Sequence, residues 1–277
     1  MTYTNWIASL STQLTSYDQV EAENLVFWLF EQHLGLRRSE LQQAYPNPTL
    51  PAALLADFQR LLMGEPIQYI LGEAPFYGRN FLVTPDTLIP RNETEELVHR
   101  ILKENPSPGL RILDLGTGTG CIPITLALEL QKPEVVALDV SALALAVARK
   151  NALQLEAQVQ FLEGDLLGNI PTLAPFDVIV SNPPYVPLQD QGEMHANVLN
   201  FEPHLALFVP NEDPLVFYRA IGNWGQQLLK KGGKLYLEIY ENLAEELVAL
   251  LQSLGYNQVQ VYPDLNGKNR MITSCWL

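Results

Sequence analysis

Asn182-Pro183-Pro184-Tyr185 stands directly behind the apolar run Phe176-Asp177-Val178-Ile179-Val180 and Ser181. These residue types suit one task, holding a flat, weakly basic NH2 group in front of an electrophile. The side-chain oxygen of Asn182 can accept one N–H hydrogen bond, and the Pro183 carbonyl can accept the other. Two successive prolines stiffen the backbone, so both acceptors are in place before reaction. Tyr185 offers a flat face for a planar group. An amide nitrogen is a poor nucleophile, because its lone pair is delocalised into the carbonyl. Alignment with the electrophile supplies much of what the reaction lacks. No strong base is needed, since the proton becomes acidic once the nitrogen has been alkylated. Read alone, the same four residues make a plain turn after a strand. Their place in a fold is what would give them chemistry.

Upstream lies Asp114-Leu115-Gly116-Thr117-Gly118-Thr119-Gly120. Glycines at a strand-to-helix turn allow a tight turn and a close approach of ligand to backbone. Asp114, at the strand end, could accept a hydrogen bond from an amino group. Asp139 follows about 20 residues on, where a carboxylate can bind both ribose hydroxyls. A third acid, Asp165, followed by Leu166, comes after the next strand candidate and could lie near an adenine. The Asp-x-Gly-x-Gly-x-Gly form favours S-adenosylmethionine (SAM) over NAD. The competing reading makes Asp139 a helix cap and Asp165 an ordinary turn residue.

The elements that would position these residues begin at Leu110. Strand candidates are Leu110–Leu115, Val135–Asp139, Val159–Leu162, Phe176–Ser181, Lys234–Ile239, Val259–Tyr262 and Met271–Trp276. Helix candidates lie between them at 121–131, 141–153, 214–230 and 241–254. The alternation predicts an α/β fold with a doubly wound, mostly parallel sheet. The last two strands are joined by polar residues with no helix, which predicts a closing antiparallel hairpin. Residues 1–75 read as a helical domain. Asp18 and Glu21 form a capping signature, Ala22, Leu25, Val26, Leu29 and Phe30 recur at helical spacing, and Gly35 is a stop. Leu54, Leu55, Phe58, Leu61 and Leu62 before Gly64 form a second helix, with Pro46, Pro48 and Pro51 breaking the chain between the two. Residues 76–109 read as a hairpin and linker turning at Pro85-Asp86, and residues 110–277 as the catalytic domain.

The 277 residues carry a net charge of −14, with 47% hydrophobic side chains. Nucleic-acid binding runs largely on Lys and Arg contacts to phosphate, so direct binding to nucleic acid is not expected. Residues 1–85 hold eight acidic residues against four basic ones. The sequence shows no apolar run of membrane-spanning length and no secretory start. The two cysteines, Cys121 and Cys275, have no metal-type spacing. A soluble, cytoplasmic, metal-free monomer is expected.

The chain resembles the release-factor glutamine methyltransferases, the HemK/PrmC family, over nearly its full length. Besides the two motifs, Gly64-Glu65-Pro66 with Tyr69-Ile70-Leu71-Gly72 resembles the family's linker. Ile89-Pro90-Arg91-Asn92-Glu93-Thr94-Glu95, Glu202-Pro203-His204-Leu205-Ala206-Leu207 and Asp264-Leu265-Asn266-Gly267-Lys268-Asn269-Arg270 resemble three further family segments. The resemblance implies a class I SAM-dependent methyltransferase fold. The implied substrate is the glutamine of the Gly-Gly-Gln loop in class I peptide-chain release factors. The implied products are N5-methylglutamine and S-adenosylhomocysteine. It maps cofactor contacts onto Gly116–Gly120, Asp139, Asp165-Leu166 and Asn182, and substrate contacts onto Asn182–Tyr185. The helical N-terminal domain would help grip the release factor. Four features depart from the family pattern: Asn92 for proline, His204 for arginine, Phe208-Val209-Pro210 for a glycine-rich turn, and Tyr240 where glycine is common. None is expected to touch the Asn-Pro-Pro-Tyr or glycine-loop residues.

The main alternative is an adenine-N6 DNA methyltransferase, which shares the Asn-Pro-Pro-Tyr logic but needs a basic groove. A non-catalytic SAM-fold scaffold would have lost the acceptor set. An NAD-dependent oxidoreductase would need a hydride-transfer acid or base that the chain does not offer.

Overall fold

The computed structural model describes residues 2–43 and 48–277, so Pro46 lies outside the described residues. The chain forms two compact units. One comprises the residues up to Glu73 together with His195–Phe201, and the other comprises Ala74–Met194 and Glu202–Leu277.

The smaller unit contains α1 (Tyr3–Ser11), α2 (Gln19–Leu34), α3 (Arg38–Leu41), α4 (Ala52–Leu62) and α5 (Ile67–Leu71). Helix α2 starts where expected, because the Asp18 carboxylate accepts the Val20 and Glu21 amides at 2.9 Å each. It stops at Gly35, whose φ of 63° costs a glycine little. Val26, Leu29, Phe30, Leu54, Phe58 and Leu61 bury the facing helix stripes. Residues 195–201 belong to this unit, and the His195 ring stacks on Tyr17 at 6.3 Å.

The larger unit opens with a hairpin of β1 (Glu73–Phe76) and β2 (Arg79–Leu82). Its turn is Tyr77-Gly78, both at positive φ, and not Pro85-Asp86 as the sequence suggested. Positive φ at both central residues gives the two-residue turn whose twist matches the flanking strands. The proline at 85 lies beyond the hairpin, and Leu88-Ile89 is not strand. Next comes α6 (Asn92–Glu104), a helix where sequence reading placed only a linker. Leu97, Val98 and Ile101 form its buried stripe, and Glu93 and Glu95 lie in its first turn, where the helix dipole favours acids.

Then β3 (Arg111–Leu115), α7 (Cys121–Glu129), β4 (Glu134–Asp139), α8 (Ala142–Gln154), β5 (Gln160–Glu163) and β6 (Phe176–Ser181) alternate. The short strands β7 (Val186–Pro187) and β8 (Phe208–Val209) follow, separated in sequence by α9 (Ala196–Phe201), which belongs to the smaller unit. The chain closes with α10 (Val216–Leu228), β9 (Leu229–Glu238), α11 (Ala244–Ser253), β10 (Asn257–Pro263) and β11 (Asn269–Cys275). The main sheet runs in the order β10-β11-β9-β6-β3-β4-β5, with β11 antiparallel to both its neighbours and the other pairs parallel. The closing hairpin is therefore as expected. Alternate side chains along each strand meet opposite layers. Leu113, Leu115, Ile179, Leu235 and Leu237 pack with Tyr218, Trp224, Leu247 and Leu251. Ile112, Val178, Val180 and Tyr236 pack with Leu97, Val98, Ile101, Ile122 and Ile124. No helix among the described residues is long and apolar enough to cross a membrane.

The strand order reverses between β3 and β6. Open parallel sheets bind ligands beyond the carboxyl ends of their strands at such a point.

Candidate active site

A cavity of about 460 Å³ lies there. Gly116–Thr119 after β3, Asp139 ending β4, Gly164, Asp165 and Leu166 after β5, and Asn182-Pro183-Pro184 after β6 all line it. Four strand ends thus converge on one space, which is what the sequence reading required of them. Gly120, Asp114 and Tyr185 do not line it.

The glycine loop is held by its neighbours. The Gly116 and Thr117 amides donate to the Leu138 carbonyl at 2.8 and 3.0 Å. Gly116 and Gly118 have φ of 78° and 54°, and a Cβ on either would meet nothing within 4 Å. Their missing side chains leave the cavity floor open. Gly120 has a different reason to be glycine. A Cβ there would lie 2.9 Å from Ile124 Cδ1 and 3.1 Å from Ala148 Cβ, so it permits the close approach of α7 and α8. The fully buried Asn151 of α8 locks the arrangement. Its amide nitrogen donates to the Thr119 and Leu82 carbonyls, and its oxygen accepts the Leu82 amide at 2.7 Å. This residue was not singled out in the sequence, where it reads as one more polar residue in a helix.

Asp139 accepts the Gly118 amide at 2.8 Å through one oxygen and the Ser141 amide at 2.9 Å through the other. The cap of α8 is the Ser141 hydroxyl, which accepts the Ala144 amide. Asp139 therefore organises the loop rather than capping the helix. Burial pushes its carboxyl up, and the backbone donors pull it back. Asp165 accepts the Leu167 amide at 2.8 Å, so the turn role weighed from sequence is present alongside its place on the cavity wall.

Asp114 is fully buried behind the wall, and neither of its oxygens has a hydrogen-bond partner among the described residues. Burial raises its carboxyl to about 7. The nearby Thr117 hydroxyl pulls this down and Asp139 pushes it up, although that hydroxyl is not in hydrogen-bond geometry with any group. Cys121 is also buried, and its thiol is pushed up to about 12, so it stays protonated and inert at neutral pH.

The acceptor motif is anchored from beneath. Asn182 Nδ2 donates to Thr94 Oγ1 at 3.2 Å, and Thr94 Oγ1 donates to Glu238 Oε2 at 2.6 Å. The Tyr185 hydroxyl donates to Glu238 Oε1 at 3.1 Å. Glu238 is 1% exposed, and burial raises its carboxyl, offset by the bonds from Thr94 and Tyr185 and by the Arg270 charge. Neither Thr94 nor Glu238 was assigned a role from sequence. The signal available was their place in the family-like segment 89–95 and at the end of a strand.

Arg91 donates to the buried Glu202 carboxylate at 2.5 Å, and the Ile89 amide donates to its other oxygen at 3.1 Å. Two family-like segments distant in sequence thus close on each other beside the cavity.

The departures are not all remote from the motif, contrary to expectation. The Tyr240 ring stacks on Tyr185 at 6.1 Å and 17°, so a side chain where glycine is common packs directly on the motif. One face of Tyr185 is used by Tyr240, and the ring does not line the cavity where sequence reading offered it to a substrate group. His204 sets its ring edge against Phe208 at 5.2 Å, so two departures pack on each other.

The residues present fit SAM. A buried carboxylate, unpartnered among the described residues, stands behind the glycine loop, bare glycines line the cavity, and acids end β4 and follow β5.

The comparisons agree. A model of the methyltransferase small domain matches residues 93–200, and one of the PrmC N-terminal domain matches residues 5–72. A release factor glutamine methyltransferase of Bacteroides thetaiotaomicron is 50% identical over 217 residues, 78% of this chain and 77% of that one. Another from Flavobacterium psychrophilum is 43% identical over 264 residues, 92% of each chain. A solved methyltransferase from Pyrococcus furiosus shares the fold, with a TM-score of 0.54 at 20% identity over 78% of this chain and 96% of its own. With such identity over most of its length, and with both family domains in order, the chain belongs to the release factor glutamine methyltransferases.

Proposed function

We propose that the protein transfers a methyl group from SAM to the side-chain nitrogen of the Gly-Gly-Gln glutamine in class I peptide-chain release factors. The observation that carries this reading is the orientation of Asn182. Its NH2 is tied to Thr94, which leaves its carbonyl oxygen as the atom for the cavity that also holds the glycine loop.

SAM, when bound, supplies a methyl group on a positively charged sulfur. Gly116–Thr119 would lie against the methionine part, with Asp114 acting on its amino group through the loop, and Gly120 would serve the packing of the loop rather than touch the ligand. Asp139 would take the ribose, and Asp165 and Leu166 the adenine. Asn182 Oδ1 and the Pro183 carbonyl would accept the two N–H groups of the glutamine amide, holding its nitrogen in line and stabilising the positive charge it acquires. Pro184 stiffens that acceptor pair. Tyr185 braces it from behind, through Glu238 and Tyr240, rather than offering its own face. No metal is needed. The N-terminal helical residues 1–75 would grip the release factor outside the loop, residues 76–109 would join them to the catalytic residues 110–277, and the enzyme would act as a cytoplasmic monomer with no direct nucleic-acid contact.

Mass spectrometry of a purified release factor after incubation with the protein and SAM tests the reading. One added methyl on the Gly-Gly-Gln glutamine is the expected result. An unmodified glutamine, with SAM bound, would refute the substrate assignment.

A further inference from the structure

We propose that Thr94 and Glu238 are positioning residues that set which way round the Asn182 amide faces, so that an acceptor and not a donor meets the substrate NH2. The proposal rests on the role given to Asn182 above.

A planar amide has two ends of opposite hydrogen-bond character and nearly the same shape. Rotated by half a turn, Asn182 would present NH2 to the NH2 of the substrate, and the hydrogen bond that steadies the reacting nitrogen would become a repulsion. Something must choose the orientation. Thr94 Oγ1 lies 3.2 Å from Asn182 Nδ2, but a hydroxyl can donate or accept, so alone it selects neither orientation. Glu238 breaks the tie. As a carboxylate it can only accept, and its Oε2 lies 2.6 Å from Thr94 Oγ1. The single hydroxyl proton of Thr94 is therefore committed to Glu238. What Thr94 offers Asn182 is a lone pair, and only the NH2 end of the amide can use it. The Asn182 oxygen is left for the cavity.

The chain of donors runs one way, from Asn182 to Thr94 to Glu238. The other carboxylate oxygen of Glu238 takes the Tyr185 hydroxyl. One buried acid at the end of β9 thus fixes two of the four motif residues, through a threonine on α6. Thr94 is 3% exposed and Glu238 1%, so bulk water does not compete for either bond. Removal of the Thr94 hydroxyl should leave the cavity shape and the SAM contacts intact while freeing the amide to turn.

The test is steady-state kinetics on a release factor with full-length Thr94→Val, Thr94→Ser and Asn182→Ala. Thr94→Val should lower kcat about tenfold or more, the scale of one buried hydrogen bond. Its KM and Kd for SAM should stay within about twofold of wild type. Thr94→Ser, which keeps the hydroxyl, should restore kcat to within about threefold. Should the valine variant not fold, Thr94→Ala takes its place, since alanine removes the hydroxyl and suits a helix. Normal kcat in the hydroxyl-free variant alongside an inactive Asn182→Ala would overturn the proposal and leave the reading of the site standing. So would equal losses in the serine and valine variants, or a loss carried wholly by SAM affinity. Normal kcat in Asn182→Ala would overturn both.

Discussion

Asp114 offers the sharpest quantitative prediction. Its carboxyl is fully buried with no hydrogen-bond partner among the described residues, and burial raises its pKa to about 7. In the unfolded chain an aspartate titrates near 3.9. Between these values the folded protein holds a proton that the unfolded chain has released. Stability must therefore fall as pH rises through this window and level off above it. Integration of the linkage gives a cost of about 1.5 kcal/mol at pH 5 and about 4 kcal/mol at pH 8, both upper bounds. Asp114→Asn removes the titration and keeps the shape. The variant should be more stable than wild type, and its advantage should grow by about 2.5 kcal/mol between pH 5 and pH 8. That growth does not depend on how well the new amide packs, because packing is the same at both pH values. Urea unfolding of cofactor-free protein at pH 5, 6, 7 and 8 measures it. Parallel stability curves for the two proteins would refute the reasoning. The function should show the converse. A cationic amino group near the loop would relieve the buried charge, so saturating SAM should recover more stability for wild type than for Asp114→Asn at pH 8.

Asn182→Ala should bind SAM nearly as wild type by calorimetry and lose methyl transfer by two or more orders of magnitude. Asp139→Ala removes the acceptor for two backbone amides, at Gly118 and Ser141, and should weaken SAM binding by about 1–3 kcal/mol in the same calorimeter. Gly120→Ala places a methyl 2.9 Å from Ile124 Cδ1 at a φ of 79°. The conformation alone costs about 1–2 kcal/mol, so thermal unfolding should show at least that loss. Arg91→Ala strands the buried Glu202 carboxylate and should destabilise by about 3 kcal/mol in urea. Arg91→Lys should recover part of it.

The parallel strands and the acids that line the cavity were legible because each carries a local signature. A run such as Phe176–Val180, short, rich in β-branched residues and followed by a proline turn, reads as a buried strand, and Asp139 stands at the end of another. The closing hairpin was legible from a missing helix. What escaped depends on partners far along the chain. Helix α6 was hidden because its apolar residues Leu97, Val98 and Ile101 are few among charged neighbours. The hairpin turn was misplaced because Pro85-Asp86 is the louder turn signal, yet Tyr77-Gly78 has the backbone freedom the turn needs. Thr94 and Glu238 lie 144 positions apart, and no local pattern links them. Tyr240 looked remote from the motif for the same reason. It follows Glu238 by two residues, and Glu238 is the residue that holds Tyr185.

The acceptor pair by itself does not distinguish a glutamine amide from the exocyclic amine of adenine, since both present a planar NH2. Discrimination has to come from what surrounds the cavity. The charged residues lining it are Asp86, Arg91, Asp139 and Asp165. Arg91 is already paired with Glu202. The cavity lining thus offers acids and no unpaired base to a polyanion. A DNA strand must exchange its counterions for lysines and arginines to bind, and neither this lining nor a chain of net charge −14 supplies them. A protein loop carries no such obligation. The two glycines that precede the glutamine let the backbone come close without side-chain obstruction. Methyl transfer to a release factor should therefore change little between about 50 and 200 mM salt. An enzyme working on DNA through several phosphate contacts would lose orders of magnitude in affinity over that range. A steep loss on the release factor would mean that its docking runs on charge pairs outside the cavity.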